Sequence, residues 1–334
     1  MSAALEVIMP RVLVLHTGGT LGMKGTPLEP DVFASKLQDS VPELAQIADL
    51  DTQIVANLDS SDVGPELWTD LATRIEAAYD DYDGFVVVHG TDTMSYTASA
   101  LSFALEDIGK PVILTGAQRP LTALRTDARR NLADAVELAT RNIPEVAICF
   151  DGLLLRGCRT TKGSARDYRG FLSPDCPPLA TLGVDVTFGP HIRHTTRPLK
   201  VDSRFDPHVL LVPITPGIEP SMLRGLFELE HLKGAVVVAF GTGTVPTSVR
   251  PLAPVIAEGV AHGLDIVVIT TSSGRVDFGL YKNSKPLEDS GAIPGGEMRV
   301  ESAMTKLMHA IAAYDDPFER RKYLMRDIAG EMVT

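Results

Sequence analysis

Short apolar runs that break abruptly into glycine-bearing polar turns recur along the first half of the chain. Val12-Leu13-Val14-Leu15 leads into His16-Thr17-Gly18-Gly19-Thr20, Phe85-Val86-Val87-Val88 into His89-Gly90-Thr91-Asp92-Thr93-Met94, and Val112-Ile113-Leu114 into Thr115-Gly116-Ala117-Gln118. Apolar runs this short, rich in β-branched residues, predict strands covered on both faces. A further strand is expected over 52–57, ending at Leu58-Asp59-Ser60-Ser61-Asp62. Between the runs the spacing becomes helical: Leu67, Leu71, Ile75 and Ala78 after Pro65, then Ala98, Leu101 and Leu105, then 127–141 through Leu132, Val136 and Ala139. Trp68 reads as packing. Gly25, Pro27 and Pro30 make 24–31 an irregular loop.

The strand 146–150, the turn Asp151-Gly152 and Leu153-Leu154-Leu155 predict a hairpin that points toward Arg159-Thr160-Thr161-Lys162. Alternating strands and helices with one hairpin imply an α/β fold, its sheet mostly parallel with an antiparallel edge. The pattern then lapses over 185–208, where Gly189-Pro190, His191, His194, Pro198 and Pro207 fall. We read that stretch as a linker between a first domain at 1–184 and a second at 209–334. The second half resumes the alternation. Strands are expected at 209–212, 235–239 and 266–270, and helices at 221–230, 250–262 and around Met304, Leu307, Met308 and Ile311, with a charged helix from Pro317.

Composition narrows the function classes. Among 334 residues, 44% hydrophobic and 22% charged describe an ordinary globular chain, while the net charge of −12 argues against a sequence-independent nucleic-acid binder. Residues 1–10 lack a basic start followed by an unbroken apolar stretch, so no signal peptide is expected, and no run approaches membrane-spanning length. Cys149, Cys158 and Cys176 are odd in number and lack zinc-site spacing, which favours a reducing cytoplasm. His191 and His194 have metal-ligand spacing but no nearby carboxylate or thiolate, so the solvated-linker reading is preferred. Gly241-Thr242-Gly243-Thr244-Val245-Pro246 begins like a dinucleotide fingerprint and ends in proline where the third glycine belongs. The turn after Thr17 lacks the Gly-Lys-Ser/Thr ending of a nucleotide loop.

What remains is hydroxyl chemistry at strand ends. Thr20, Ser60, Ser61, Thr91 and Asp92 stand where open α/β sheets bind ligands, beside helix starts. Capping is the competing reading for Thr91 and Asp92, since both types cap helices well. A threonine hydroxyl is a weak nucleophile and needs a base or polarising group. Lys162 shielded from water is the candidate, with Asp92 to orient it, in the logic of a hydroxyl–base–carboxylate relay. Backbone N–H groups of the glycine turns are available to an oxyanion.

Taken together, Thr17-Gly18-Gly19-Thr20, His89-Gly90-Thr91-Asp92-Thr93-Met94, Thr115-Gly116-Ala117 and Arg159-Thr160-Thr161-Lys162 resemble the bacterial-type L-asparaginases, in order and spacing, from about residue 11 to the helix near Leu307. The cytoplasmic type I branch is the nearer likeness. That resemblance implies a larger flavodoxin-like N-terminal domain and a smaller Rossmann-like C-terminal α/β domain. It implies hydrolysis of L-asparagine to L-aspartate and ammonia through a threonine acyl-enzyme, with weak glutaminase activity and no metal or organic cofactor. By the same resemblance Thr20 is the nucleophile, and Thr91, Lys162 and Asp92 form the second catalytic group. Ser60 and Ser61 bind the α-carboxylate, Asp92 the α-ammonium, and the backbone at Gly19 and Ala117 the reacting amide. Homodimers or homotetramers are implied, with Thr244 near the neighbour's site, and neither nucleic acid nor membrane as partner.

Two departures stand out. The family's loop after the first threonine usually carries a tyrosine; here 21–32 has none, and the first tyrosine is Tyr79. Thr270-Thr271-Ser272-Ser273-Gly274 lacks the cysteine tied to allosteric asparagine binding in one type I group. Two alternatives follow: an asparagine or aspartate sensor with weak catalysis, and the asparaginase-like subunit of an amidotransferase. The latter carries an extra N-terminal domain, whereas the first motif here begins near residue 17.

Overall fold

The computed structural model describes residues 9–24, 29–30, 41–278 and 284–333. Residues 25–28 and 31–32, parts of the expected loop at 24–31 and of the tyrosine-free segment at 21–32, lie outside them; of the rest, Met23–Lys24 pairs antiparallel with Glu29–Pro30, a short ladder where an irregular loop was expected. Two α/β units are present, each built on its own sheet.

The larger sheet comprises β1 (Arg11–Gly18), β2 (Asp49–Leu58), β3 (Gly84–Val88), β4 (Val112–Thr115), β5 (Val146–Phe150), β6 (Leu153–Arg156), β7 (Ala180–Leu182) and β8 (Val186–Phe188). Their order is β2-β1-β3-β4-β5-β6-β7-β8. Neighbours are parallel from β2 to β5, and antiparallel from β5 to β8. The parallel part has the flavodoxin-like order, whose direction of progression reverses between β1 and β3. Asp151 and Gly152 both take positive φ (48° and 72°), the primed turn that joins β5 to β6. Two short strands, β7 and β8, extend the antiparallel edge beyond the hairpin expected from sequence, and β8 lies inside the stretch read as linker.

β1, β3, β4 and β5 are buried on both faces, as their composition predicts, whereas β2 at the sheet edge is largely exposed. Val12, Val14, Val86, Val88 and Ile113 face α3 (Ala128–Ala139) in one apolar cluster. Leu13, Leu15, Phe85, Val87 and Leu114 face α1 (Pro65–Ala77) and α2 (Met94–Ala104) in another. Period-two alternation thus feeds two separate cores from the same strands.

The smaller unit has an all-parallel sheet in chain order: β9 (Val209–Pro213), β10 (Gly234–Val238), β11 (Asp265–Ile269) and β12 (Ile293–Pro294). Its helices are α4 (Pro220–Phe227), α5 (Ala253–Ala261), α6 (Lys285–Asp289), α7 (Val300–Ala313) and α8 (Pro317–Met325). Phe103 at the end of α2 and Cys158 join Val236, Ile269, Met304 and Leu307 in one apolar cluster, so α2 is buried between the large sheet and α7. That double covering leaves α2 buried nearly all round, and its Ser102 hydroxyl donates back to the Ala98 carbonyl (2.7 Å). No helix among the described residues is long and apolar enough to cross a membrane.

Candidate active site

Glycine lets the strand-end turns touch. A methyl group at Gly19 would lie 2.5 Å from Gly90 Cα, and one at Gly90 would lie 2.6 Å from Ser60 Cβ. One at Gly116 would lie 2.3 Å from the His89 carbonyl oxygen. Contacts closer than any real Cβ makes mean that the turns after β1, β2, β3 and β4 meet only because these positions have no side chain. They meet at the β1/β3 reversal, the crevice where such sheets take ligands. Thr20 and Thr91 are each the next residue after a glycine of the Gly19–Gly90 contact. Thr20 opens a short 3-10 turn, Thr20–Gly22, and is half-buried.

Around this contact the polar groups converge. Lys162 Nζ donates to Thr91 Oγ1 (2.8 Å) and is also paired with the Asp92 carboxylate. Ser60 is buried; its Oγ accepts from the Asp92 backbone N–H (3.3 Å), and its carbonyl accepts from Thr93 Oγ1 (2.7 Å). Ala117 is buried beside the same turn. Lys162 arrives from a distant part of the chain on a two-residue strand, Thr161–Lys162, paired with Phe171–Leu172. Gln118 ties the loop within that ribbon to the turn after β4, its Nε2 donating to the carbonyls of Ser164 (3.2 Å) and Asp167 (2.9 Å).

Capping, the competing reading, is not what these side chains do. Thr93 occupies the N-cap of α2 yet makes no side-chain cap bond, because its hydroxyl goes to Ser60. The Asp92 carboxylate goes to Lys162. Ser61 differs from Ser60: it is exposed, and its N–H (2.8 Å) and hydroxyl (2.7 Å) both donate to Asp59 Oδ1. Those two bonds hold the Asp59 carboxyl below its ordinary range. Asp59 was not singled out from sequence, although an Asp before a short turn is the usual signal for such a cap.

Behind the turn lies a buried chain of hydrogen bonds. Trp68 Nε1 donates to Thr97 Oγ1 (3.1 Å), which stands 2.9 Å from His89 Nε2. His89 Nδ1 is 2.7 Å from the Gly90 carbonyl oxygen, which can only accept, so Nδ1 carries the proton and Thr97 donates to Nε2. Burial lowers the His89 pKa to about 4 and keeps the ring neutral. Trp68 does pack, edge-on against Phe205 with centroids 5.3 Å apart, and it also anchors this chain.

Other sequence candidates lie elsewhere. His191 Nε2 donates to the Pro177 carbonyl (2.9 Å). Thr244 Oγ1 donates to Phe240 O in its own turn (3.2 Å). All three cysteines are buried and free.

Family comparisons agree with this geometry. The N-terminal asparaginase model matches residues 11–193, and the glutaminase/asparaginase C-terminal domain model matches 208–324. L-asparaginase 1 of Escherichia coli is 37% identical over 96% of this chain and 97% of its own. L-asparaginase of Thermococcus kodakarensis is 35% identical over 96% of this chain and 99% of its own. The crystal structure of L-asparaginase I from Vibrio cholerae superposes with a TM-score of 0.90 at 32% identity, covering 98% of this chain and 100% of that one. Matched in both of its domains and along nearly its whole length, the chain belongs to the asparaginase family.

Proposed function

We propose that this protein hydrolyses L-asparagine to L-aspartate and ammonia, with weak activity on glutamine, through an acyl-enzyme on Thr20. The observation that carries the chemistry is the group at the β1/β3 crevice, where Lys162 Nζ lies 2.8 Å from Thr91 Oγ1 and is paired with Asp92. In this reading Thr20 Oγ1 attacks the side-chain amide carbon. Its proton passes through the Thr91–Lys162 pair to the leaving nitrogen, which departs as ammonia and leaves an ester on Thr20. Water, deprotonated by the same pair, attacks the ester carbon; the C–O bond to Thr20 breaks and the hydroxyl regains its proton. The backbone N–H that follows Gly19 takes up the oxyanion, the Gly19 N–H itself being engaged by the Leu58 carbonyl (3.3 Å). Asp92 receives the α-ammonium and Ser60 the α-carboxylate, while the Ala117 carbonyl accepts from the amide N–H. Ser61 joins the carboxylate site once its hydroxyl leaves Asp59. This chemistry uses the chain's own side chains.

Discrimination against glutamine rests on one methylene, worth about 1–3 kcal/mol in a pocket of this kind. Three further expectations belong to the same proposal: division into domains at 1–184 and 209–334 across a linker at 185–208, a homodimer or homotetramer with Thr244 near the neighbour's site, and residence in the cytoplasm, supported by three buried free thiols.

Ammonia release from asparagine and from glutamine tests the activity. Thr20→Ala and Thr91→Ala should each lower turnover by at least about a hundredfold with the fold intact. Near-normal turnover in Thr20→Ala with none in Thr91→Ala would reverse the nucleophile assignment. Calorimetric binding of asparagine without turnover by the native chain would replace the enzyme by the sensor.

A further inference from the structure

Among the described residues, the most deeply buried ion pair stands away from the turns that form the site. Lys306 on α7 and Glu331 in the C-terminal tail form an ion pair whose side chains are both 0% exposed. Lys306 Nζ also donates to the carbonyls of Leu324 (3.1 Å) and Arg326 (2.6 Å). The Glu331 carboxylate accepts the backbone N–H groups of Ile328 (3.1 Å) and Ala329 (2.8 Å). Burying such a pair gains little stability over apolar side chains of the same size. What it does provide is direction: it folds residues 327–331 into one tight, fully bonded turn.

That turn grips Arg159. The Arg159 side chain is 3% exposed and spans three segments: Nη1 donates to the Glu331 carbonyl (2.7 Å), and Nη2 to the Asp175 carbonyl (2.8 Å) and Glu297 Oε2 (2.6 Å). On its other side the tail packs against Arg156, whose guanidinium would lie 2.9 Å from a methyl at Gly330. Arg156 is itself held by Glu145, at 2.6 and 3.0 Å. Between the two arginines, Cys158 Sγ lies 3.5 Å from the Ala329 carbonyl. The backbone that leaves Arg159 runs through Thr160, whose hydroxyl donates to Arg156 O (2.7 Å), and reaches Lys162. A two-residue ribbon such as the one carrying Lys162 has little stability of its own. Upstream it is anchored by Thr161, whose hydroxyl donates to Glu301 Oε1 (2.6 Å), by Thr160 on Arg156, and by Arg159, which alone among them bonds to the C-terminal tail.

We propose that the C-terminal strap 327–331, acting through Arg159, positions Lys162 against Thr91. The proposal rests on the amidohydrolase reading for its kinetic consequence, but the placement of Lys162 is a separate physical claim. Arg159 and Glu331 are positioning residues; neither belongs to the polar cluster at the strand ends. Loss of the anchor should let Lys162 drift, and misplacement of a reacting group by about 1 Å costs on the order of a hundredfold in rate. Ser60 sits on another turn, and Asp92, though it would lose its ion-pair partner, stays tied through its backbone N–H to Ser60 Oγ (3.3 Å), so substrate binding should fall less than turnover.

The test uses the full chain with Arg159→Gln, Arg159→Lys and Gly330→Ala; the last strains the strap at a backbone φ of 90° and sets a methyl against Arg156, leaving Arg159 itself unchanged. Steady-state ammonia release, thermal unfolding and the labelling rate of Lys162 by an amine-reactive reagent are measured on each. Arg159→Gln is expected to lower kcat about thirtyfold with KM within about threefold, Arg159→Lys to recover part of the loss, and Gly330→Ala to lower kcat by a few-fold. Lys162 should label faster in all three. Wild-type kcat and unchanged labelling in folded variants overturn the proposal, as does a kcat loss no larger than the unfolded fraction. If the Arg159 variants do not fold, Gly330→Ala decides. Native protein that releases no ammonia sinks the amidohydrolase reading, while the labelling arm still decides the strap.

Discussion

The turn Gly18-Gly19-Thr20 in the large domain and the turn Gly241-Thr242-Gly243-Thr244 in the small one look alike in sequence. Both follow a parallel strand buried in its sheet, and both place glycines at positive φ, with Gly19 at 87° and Gly241 at 49°. Their surroundings differ. A methyl on Gly19 would strike the Gly90 backbone, whereas one on Gly241 would meet nothing within 4 Å and one on Gly243 only side chains, Val276 first at 2.6 Å. Thr91, beside the first contact, takes a hydrogen bond from a lysine 71 residues away, while Thr244 bonds to its own turn. A Gly-Thr turn therefore marks a site only where glycine brings one turn against another and a charged partner from elsewhere reaches the gap. The sharpest way to break this comparison is Gly90→Ala. Gly90 is not among the glycines at positive φ, so its lack of a side chain answers to contact with Ser60. A methyl there must displace Ser60 or Thr91, and kcat should fall at least about a hundredfold. Turnover within threefold of native would show that the close approach of the turns is dispensable.

Each region also keeps a buried histidine neutral, and the two differ in how closely they bear on the cleft. Burial lowers the pKa of His89 behind the site and of His309 on α7. His89 falls from 6.5 in the open chain to about 4 in the fold, so the unfolded state binds the extra proton between those values. Stability from this group is therefore complete above pH 6.5 and is lost as pH falls toward 4, to the extent of about 3 kcal/mol. His89→Asn supplies an amide N–H toward the Gly90 carbonyl and cannot take the proton. Denaturant titrations from pH 7 to pH 4.5 should show a shallower acid loss in the variant than in the native chain. Equal slopes would mean that His309 and the other acid-sensitive groups carry the whole effect.

Much of the large sheet was legible because its strands are runs of four or five apolar residues, and the Asp151-Gly152 hairpin because its turn demands positive φ. β7 and β8 were missed: three residues each, they show no alternation long enough to read. The cluster of Thr20, Ser60, Thr91, Asp92 and Lys162 was legible as a set of strand ends, but its assembly through Gly19, Gly90 and Gly116 was not, since close approach leaves no mark on periodicity. Trp68 and His89 were each noticed and Thr97 was not, and side-chain hydrogen bonds between separate elements have no sequence period. Arg159 belonged to a motif noticed for Lys162 alone; its partners at 175, 297 and 331 are fixed only by tertiary structure.

The smallest effect completes the matched pair. Gly241→Ala makes the same chemical change as Gly90→Ala, in a turn of the same sequence type, but with open space around the added methyl. Its cost is the left-handed backbone at φ 49°, about 1 kcal/mol for an alanine, partly offset by the lower entropy of the unfolded chain. Net destabilisation should stay below about 1 kcal/mol, read as a small shift in the denaturant midpoint with an unchanged slope. A larger loss of stability would reveal a close contact at Gly241 made by something outside this single chain. A second subunit seated on that turn is the candidate, and the loss would then depend on protein concentration.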